Sequence, residues 1–95
     1  MKITFVKKVL ADGSPCKKCG EVIEKMEAAN QLRFIDKIVI ADEADKNSEG
    51  MLLAAEHEVN RAPFFIVEQD NGSTEIYTIY FKLVKDVLND LETAA

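Results

Sequence analysis

The chain has no tryptophan, one histidine, two prolines, two cysteines and four glycines in 95 residues. Each shortage excludes something. Two cysteines and one histidine do not make up the four ligands of a structural zinc site. The few glycines form no phosphate-cradling loop, and no Ser-His-Asp set argues for hydrolysis. No apolar run approaches the roughly 20 residues that span a bilayer. The opening MKITFVKKVLADG is broken by Lys7 and Lys8 and lacks a small-residue cleavage site, so no signal peptide is expected. The default compartment is the cytoplasm, where a lasting structural disulfide is disfavoured. The 12 Lys and Arg are scattered among 17 Asp and Glu, for a net charge of −5. There is no basic stripe, which argues against nucleic acid and against an anionic membrane. The acidic balance favours solubility.

What is present is one domain, residues 1–95. Apolar residues make up 47% of it, and a chain of this size buries roughly two thirds of its unfolded surface. It should therefore fold without staples. Lys2–Leu10 reads as a strand, with Ile3 and Phe5 alternating with polar neighbours. Ala11–Pro15 is a loop of small and turn-forming residues. From Cys16 to about Ala29 a helix is expected, with Cys19, Val22, Ile23, Met26 and Ala29 as its apolar stripe. Phe34–Ala41 (FIDKIVIA) reads as a strand, its Ile38-Val39-Ile40 run suggesting burial on both faces. A second helix, Glu49–Val59, is capped by Asn47 or Ser48 and turns Leu52, Ala55 and Val59 inward. Phe64–Glu68 (FFIVE) is a core strand. Asn71-Gly72 signals a hairpin to a strand at Thr74–Tyr80, and Phe81–Leu91 closes the chain as a helix with Phe81, Val84, Leu88 and Leu91 on its stripe. The first two strands should be parallel through a right-handed crossover. The order β-α-β-α-β-β-α is that of a small α/β fold around a four-stranded mixed sheet.

That order places the pair Cys16 and Cys19 at the start of the first helix. A helix N-terminus carries unpaired N–H groups and partial positive charge, which favours a thiolate and lowers its pKa. Lys17 and Lys18 add positive charge. Cys19 lies three residues on, hence on the same side of the helix. One sulfur is then exposed and acidic and the other sits one turn inward, an asymmetry suited to a two-step exchange. Half of a metal site and an inert buried pair remain alternatives. Pro63, directly before FFIVE, is a second clue. A strand start tolerates proline, and a functional proline there would be cis.

On C-K-K-C at 16–19 after the first strand, Ala62-Pro63 before FFIVE, and the order of elements, the chain resembles the thioredoxin-fold redox proteins, specifically their short glutaredoxin-like branch. The resemblance covers nearly the whole chain. It implies a thiol–disulfide oxidoreductase or electron carrier, with Cys16 as nucleophile and Cys19 as resolving thiol. It implies a cis Pro63 facing the pair, with the Ala62 backbone offered to the bound substrate. Lys17 and Arg61, which lie beside these positions, are read from their charge as further candidate substrate contacts. Partners would be a disulfide-containing protein or an upstream reductase. The D-G-S-P-C-K-K-C run resembles small glutaredoxin-like proteins associated with bacterial sulfur metabolism, as donors to a reductase. No bound cofactor and no resident metal are implied, and a monomer is expected. The chain departs from the family in having lysines between the cysteines and Arg61-Ala62 in place of Thr-Val. Tyr80-Phe81-Lys82 stands where a Gly-Gly-acid segment would help hold glutathione.

The second class of function compatible with the residues is a zinc- or copper(I)-binding or interaction module that keeps the fold without redox exchange. His57 is read as a surface histidine at a helix C-terminus. Arg61 is equally well a surface charge or a contact to an acidic group. Asp42, Glu43 and Asp45 form a solvated acidic loop able to bias partner choice.

Overall fold

The computed structural model of the protein describes residues 1–94. Strand β1 (Lys2–Val9) is followed by helix α1 (Lys17–Ala28), one 3-10 turn (Leu32–Phe34), β2 (Lys37–Asp42), α2 (Glu49–Glu56), β3 (Phe64–Glu68) and β4 (Thr74–Tyr77). The described residues end in a continuous helical run of α3 (Tyr80–Leu83), a π turn (Val84–Leu88) and α4 (Asn89–Ala94). The four strands form one mixed open sheet in the order β2-β1-β3-β4. β1 pairs with β2 in parallel and with β3 antiparallel, and β3 pairs antiparallel with β4. The expected α/β class and order of elements are present.

The strands at the centre are those whose side chains are buried on both faces. Ile3, Phe5, Phe65 and Val67 pack against Val22 and Met26 of α1 and against Leu83, Val87 and Leu88 of the C-terminal run. Val6, Phe64 and Ile66 point the other way, toward Met51, Leu53 and Ala54 of α2. The hairpin joining β3 to β4 turns at Gly72, whose φ of +90° suits a residue without Cβ. The adjacent Asn71 carboxamide oxygen accepts from the Ser73 amide and hydroxyl. Among the described residues, no helix is long and apolar enough to cross a membrane.

The structure corrects several expectations about facing and element bounds. Ile38-Val39-Ile40 is not buried on both sides. β2 is an edge strand, so Val39 and Ala41 are in the core while Ile38 and Ile40 stay about half exposed. Phe34 belongs to the 3-10 turn, and β2 begins at Lys37. On α2 it is Met51, Leu53 and Ala54 that meet the core, while Leu52 and Ala55 face solvent. The cause is Gly50, which lies so close to the backbone of Ile40 and Ala41 that it fixes which side of the helix meets the sheet. The helix also stops earlier than expected, at His57, where Glu58 turns left-handed at φ +56°. His57, expected near the helix C-terminus, is the C-cap residue. Finally, β4 ends at Tyr77 and the last helix starts at Tyr80, with Leu83, Val87 and Leu88 buried and Phe81 74% exposed. The π turn widens the helix by one residue, so Val87 and Leu88 both reach the core.

Gly50 and Gly20 make an opposed pair of tests. A methyl added at Gly50 would sit 2.5 Å from the Ile40 carbonyl carbon and 2.6 Å from the Ala41 Cα, both backbone atoms. Gly50→Ala should destabilise by about 1–3 kcal/mol through overpacking. Gly20, exposed within α1, has open space around it, so Gly20→Ala should stabilise by up to about 1 kcal/mol. Denaturant midpoints measured side by side check both signs.

Candidate functional site

The site begins with a turn. Gly13, at φ +88°, lets the chain double back after β1. Its amide bonds to the Leu10 carbonyl at 2.8 Å, and the Leu10 amide bonds to the Ser14 carbonyl at 2.9 Å. The Asp12 carboxylate accepts from both the amide and the hydroxyl of Ser14. Pro15 then bridges back to Val9, and the Cys16 amide donates to the Lys8 carbonyl at 3.3 Å. Cys16 is thereby laid over the end of β1 as α1 begins.

Cys16 is the N-cap of α1, one residue earlier than the first-turn position expected of it. Its Sγ accepts from the Cys19 amide at 3.4 Å, in the place a serine or aspartate oxygen takes in an ordinary cap. Cys19 is buried, 3% exposed, and its Sγ accepts from the Lys8 amide at 3.4 Å. Both cysteines are free thiols. Main-chain groups of Lys8 therefore hold both residues, the carbonyl taking Cys16 and the amide reaching Cys19.

The two sulfurs are pushed in opposite directions. For Cys16, partial burial opposes ionisation. The Cys19 thiol and amide, the Lys18 amide and the Lys8 charge outweigh it and hold Cys16 below the ordinary thiol range. For Cys19, burial is the largest effect, and the neighbouring Cys16 sulfur adds to it. The Lys8 amide and charge oppose them only in part, so Cys19 is pushed up to about 11. The positive charge that acts on the pair comes from Lys8. Lys18 contributes through its backbone amide, which bonds to the Cys16 sulfur.

The other expected site residues lie at the same end of the sheet. The register pairing Val6 with Phe64 carries Pro63 and Ala62 toward the level of Lys7 and Lys8. The Ala62–Pro63 bond is cis, and Pro63 is buried. Ala62 and Arg61 line a mostly apolar cavity of about 350 Å³ with Met51, Ala54, Val59 and Phe64. A smaller cavity of about 120 Å³ holds the two cysteines with Lys7, Pro15 and Ile23. Lys8 is common to both cavities; Lys17 lines neither and stays exposed on the first turn of α1.

Sequence reasoning missed Lys8 and Glu43. Lys8 reads as an interruption of an apolar stretch, and Glu43 as one acid of a solvated loop. Parallel pairing sets Val9 beside Asp42, and the Glu43 amide bonds to the Val9 carbonyl at 2.9 Å. The Glu43 carboxylate then lies 3.5 Å from the Lys8 ammonium. Only the register of the two strands reveals that pair. Among the described residues, no group of three or more His, Cys, Asp and Glu side chains gathers as a metal site would require.

Two pH profiles follow. Cys16 should react with iodoacetamide at a rate half-maximal below the pH of a free thiol, falling as pH drops through its pKa. Cys19 should stay protonated until about pH 11. Lys8→Gln removes one stabilising charge and Cys19→Ala removes the thiol donor, so each should shift the Cys16 profile to higher pH. Thiolate absorbance across a pH titration reads both shifts.

No family model, curated protein or solved structure matches the chain.

Proposed function

We propose that the chain is a cytoplasmic thiol–disulfide oxidoreductase or electron carrier with a thioredoxin-like, glutaredoxin-type fold. The observation that carries this reading is the asymmetry of the pair. One sulfur caps a helix and is held toward thiolate, while its neighbour is buried and held protonated. The order of elements, the mixed sheet and the Ala62–Pro63 turn at the same sheet end support it.

In the forward direction the Cys16 thiolate attacks one sulfur of a substrate disulfide. The substrate S–S bond breaks, a Cys16–substrate disulfide forms, and the leaving thiolate takes a proton. Cys19 then loses its proton, and its sulfur attacks the Cys16 sulfur. The mixed disulfide breaks and the second substrate thiol leaves. Two electrons pass to the substrate, and the Cys16–Cys19 disulfide remains until an external dithiol reduces it. The Lys8 amide and ammonium offset the cost of ionising Cys19 for the second step. That contribution falls on the anion, because hydrogen bonds to charged acceptors are the stronger ones. The exchange needs no metal or organic cofactor.

The test is the midpoint potential of the pair against pH, set by thiol–disulfide buffers and read by alkylation and mass. Reduction takes up two protons where both thiols are protonated, and one where Cys16 is already ionised. A tenfold change in equilibrium constant is about 30 mV for a two-electron couple. The potential should therefore fall by about 59 mV per pH unit at low pH and by about 30 mV per unit above the Cys16 pKa. It should level off above about pH 11, where Cys19 ionises. A pair that forms no disulfide in oxidising buffer, or shows one unbroken slope through the alkaline range, would sink the reading.

A further inference from the structure

The sheet has two edges, and they are not alike. β4 has four residues, Thr74–Tyr77, with Glu75 inside it. A short strand and a mid-strand charge are the usual protection of an edge against pairing. β2 has six residues, KIVIAD, with its charges only at the two ends. Between them Ile38 is 50% exposed and Ile40 46% exposed. Neither proline nor a bulge interrupts the strand, which pairs residue for residue with β1 from Lys37 to Asp42.

The backbone of the same two isoleucines is open. The Glu43 amide bonds to the Val9 carbonyl. Alternation along a parallel ladder then turns the amides of Val39 and Ala41 toward β1, and those of Ile38 and Ile40 outward. This open section is closed off on both sides. The Asp36 amide donates to the Ile3 carbonyl, and the Asp42 amide donates to the Ser48 hydroxyl oxygen. Val39 lies midway between them.

We propose that β2 pairs antiparallel with β2 of a second copy of the chain, about a two-fold axis through Val39. Ile38 then lies opposite the second copy's Ile40 and exchanges both backbone bonds with it, and symmetry repeats the pair. This register uses only open groups. Setting Ile38 opposite itself would bring Ile40 against the engaged Asp36 amide. Setting Ile40 opposite itself would bring Ile38 against the engaged Asp42 amide. The four isoleucine side chains share one face, opposite to that of Val39 and Ala41.

Charge fits the same register. Lys37 falls opposite the second copy's Ala41. Gly50 lies against the Ala41 backbone, so Glu49 stands beside that position. Within one chain Lys37 is paired with Glu49, and in the dimer each Lys37 lies between two Glu49 carboxylates. Asp36 falls opposite Asp42, a like-charge contact that opposes association. Both carboxylates are turned to main-chain amides, those of Ile3 and Ala44, and Glu43 is drawn to Lys8. The two four-stranded sheets become one of eight strands. Because β1 and β2 are parallel, the axis places the two cysteine pairs at opposite ends and leaves both open. The seam is small beside a standard interface, so the dimer forms at high protein concentration.

The test is sedimentation equilibrium of the reduced full chain at concentrations rising to millimolar. The wild type should pass from monomer to dimer, and the Ile38 and Ile40 amides should exchange with solvent more slowly as it does. Ile40→Lys should weaken association about tenfold or more, because both isoleucine pairs are lost. Asp42→Asn should strengthen it. Lys37→Glu and Glu49→Lys should each be monomeric alone and dimerise when mixed, since each supplies the charge the other lacks. An ion pair that acts only within one chain gives no such rescue. Iodoacetamide should modify Cys16 at the wild-type rate in Ile40→Lys and in both mixed variants, which marks them as folded. A wild type that stays monomeric, a dimer that survives Ile40→Lys, or variants that do not pair on mixing would overturn the proposal. Edge amides protected only by an added extended peptide would overturn it too, and would make the edge a peptide site.

Discussion

Two main-chain groups of one residue organise the candidate site. The Lys8 carbonyl takes the amide of Cys16, and the Lys8 amide reaches the sulfur of Cys19. Lys8 stands near the end of β1, the strand to which β2 and β3 are both bonded. The cysteines are thus tied to a rigid part of the protein rather than to a free loop. A groove that must hold two sulfurs in a fixed relation needs such a support. The backbone of Lys8 sets position, and its side chain supplies the charge.

The same arrangement gives the two thiols unlike environments. Cys16 sits where an N-cap oxygen would sit, with amides aimed at its sulfur. Cys19, three residues on, turns under the first turn of α1 beside Ile23. Burial acts on both, but only on Cys19 does it prevail. The Glu43 carboxylate lies against the Lys8 ammonium and takes up part of its field, so the acidic loop after β2 belongs to the electrostatics of the pair. Around this centre the sheet end offers an apolar cavity on the α2 side, beside the Ala62–Pro63 turn.

Much of this was legible in the sequence, and what was not has physical reasons. The strands, the hairpin at Asn71-Gly72 and the cysteines at a helix start follow from local patterns of one to ten residues. The C-x-x-C spacing alone put both sulfurs on one side of α1. Which strand lies at an edge is not local, and so Ile38 and Ile40 were expected in the core. Helix rotation is set by a single close approach, and Gly50 turned α2 away from the side that Leu52 and Ala55 suggested. A π turn cannot be read from 3.6-residue periodicity, so Phe81 was placed on the wrong face. Lys8 and Glu43 escaped because their meeting depends on the parallel register of β1 and β2. Lys17 and Lys18 are the charges visible beside the cysteines in the sequence, yet it is the Lys18 amide and the Lys8 charge that bear on Cys16.

The central claim is that Cys16 is the attacking sulfur and Cys19 the one that follows. The direct test is a single turnover. The reduced protein is mixed with a small aromatic disulfide, quenched in acid at successive times, and mapped by peptide mass. The account predicts an early adduct on Cys16 alone, giving way to a Cys16–Cys19 disulfide with release of the second aromatic thiol. An adduct that forms first on Cys19, or one on Cys16 that persists without resolving, would contradict it.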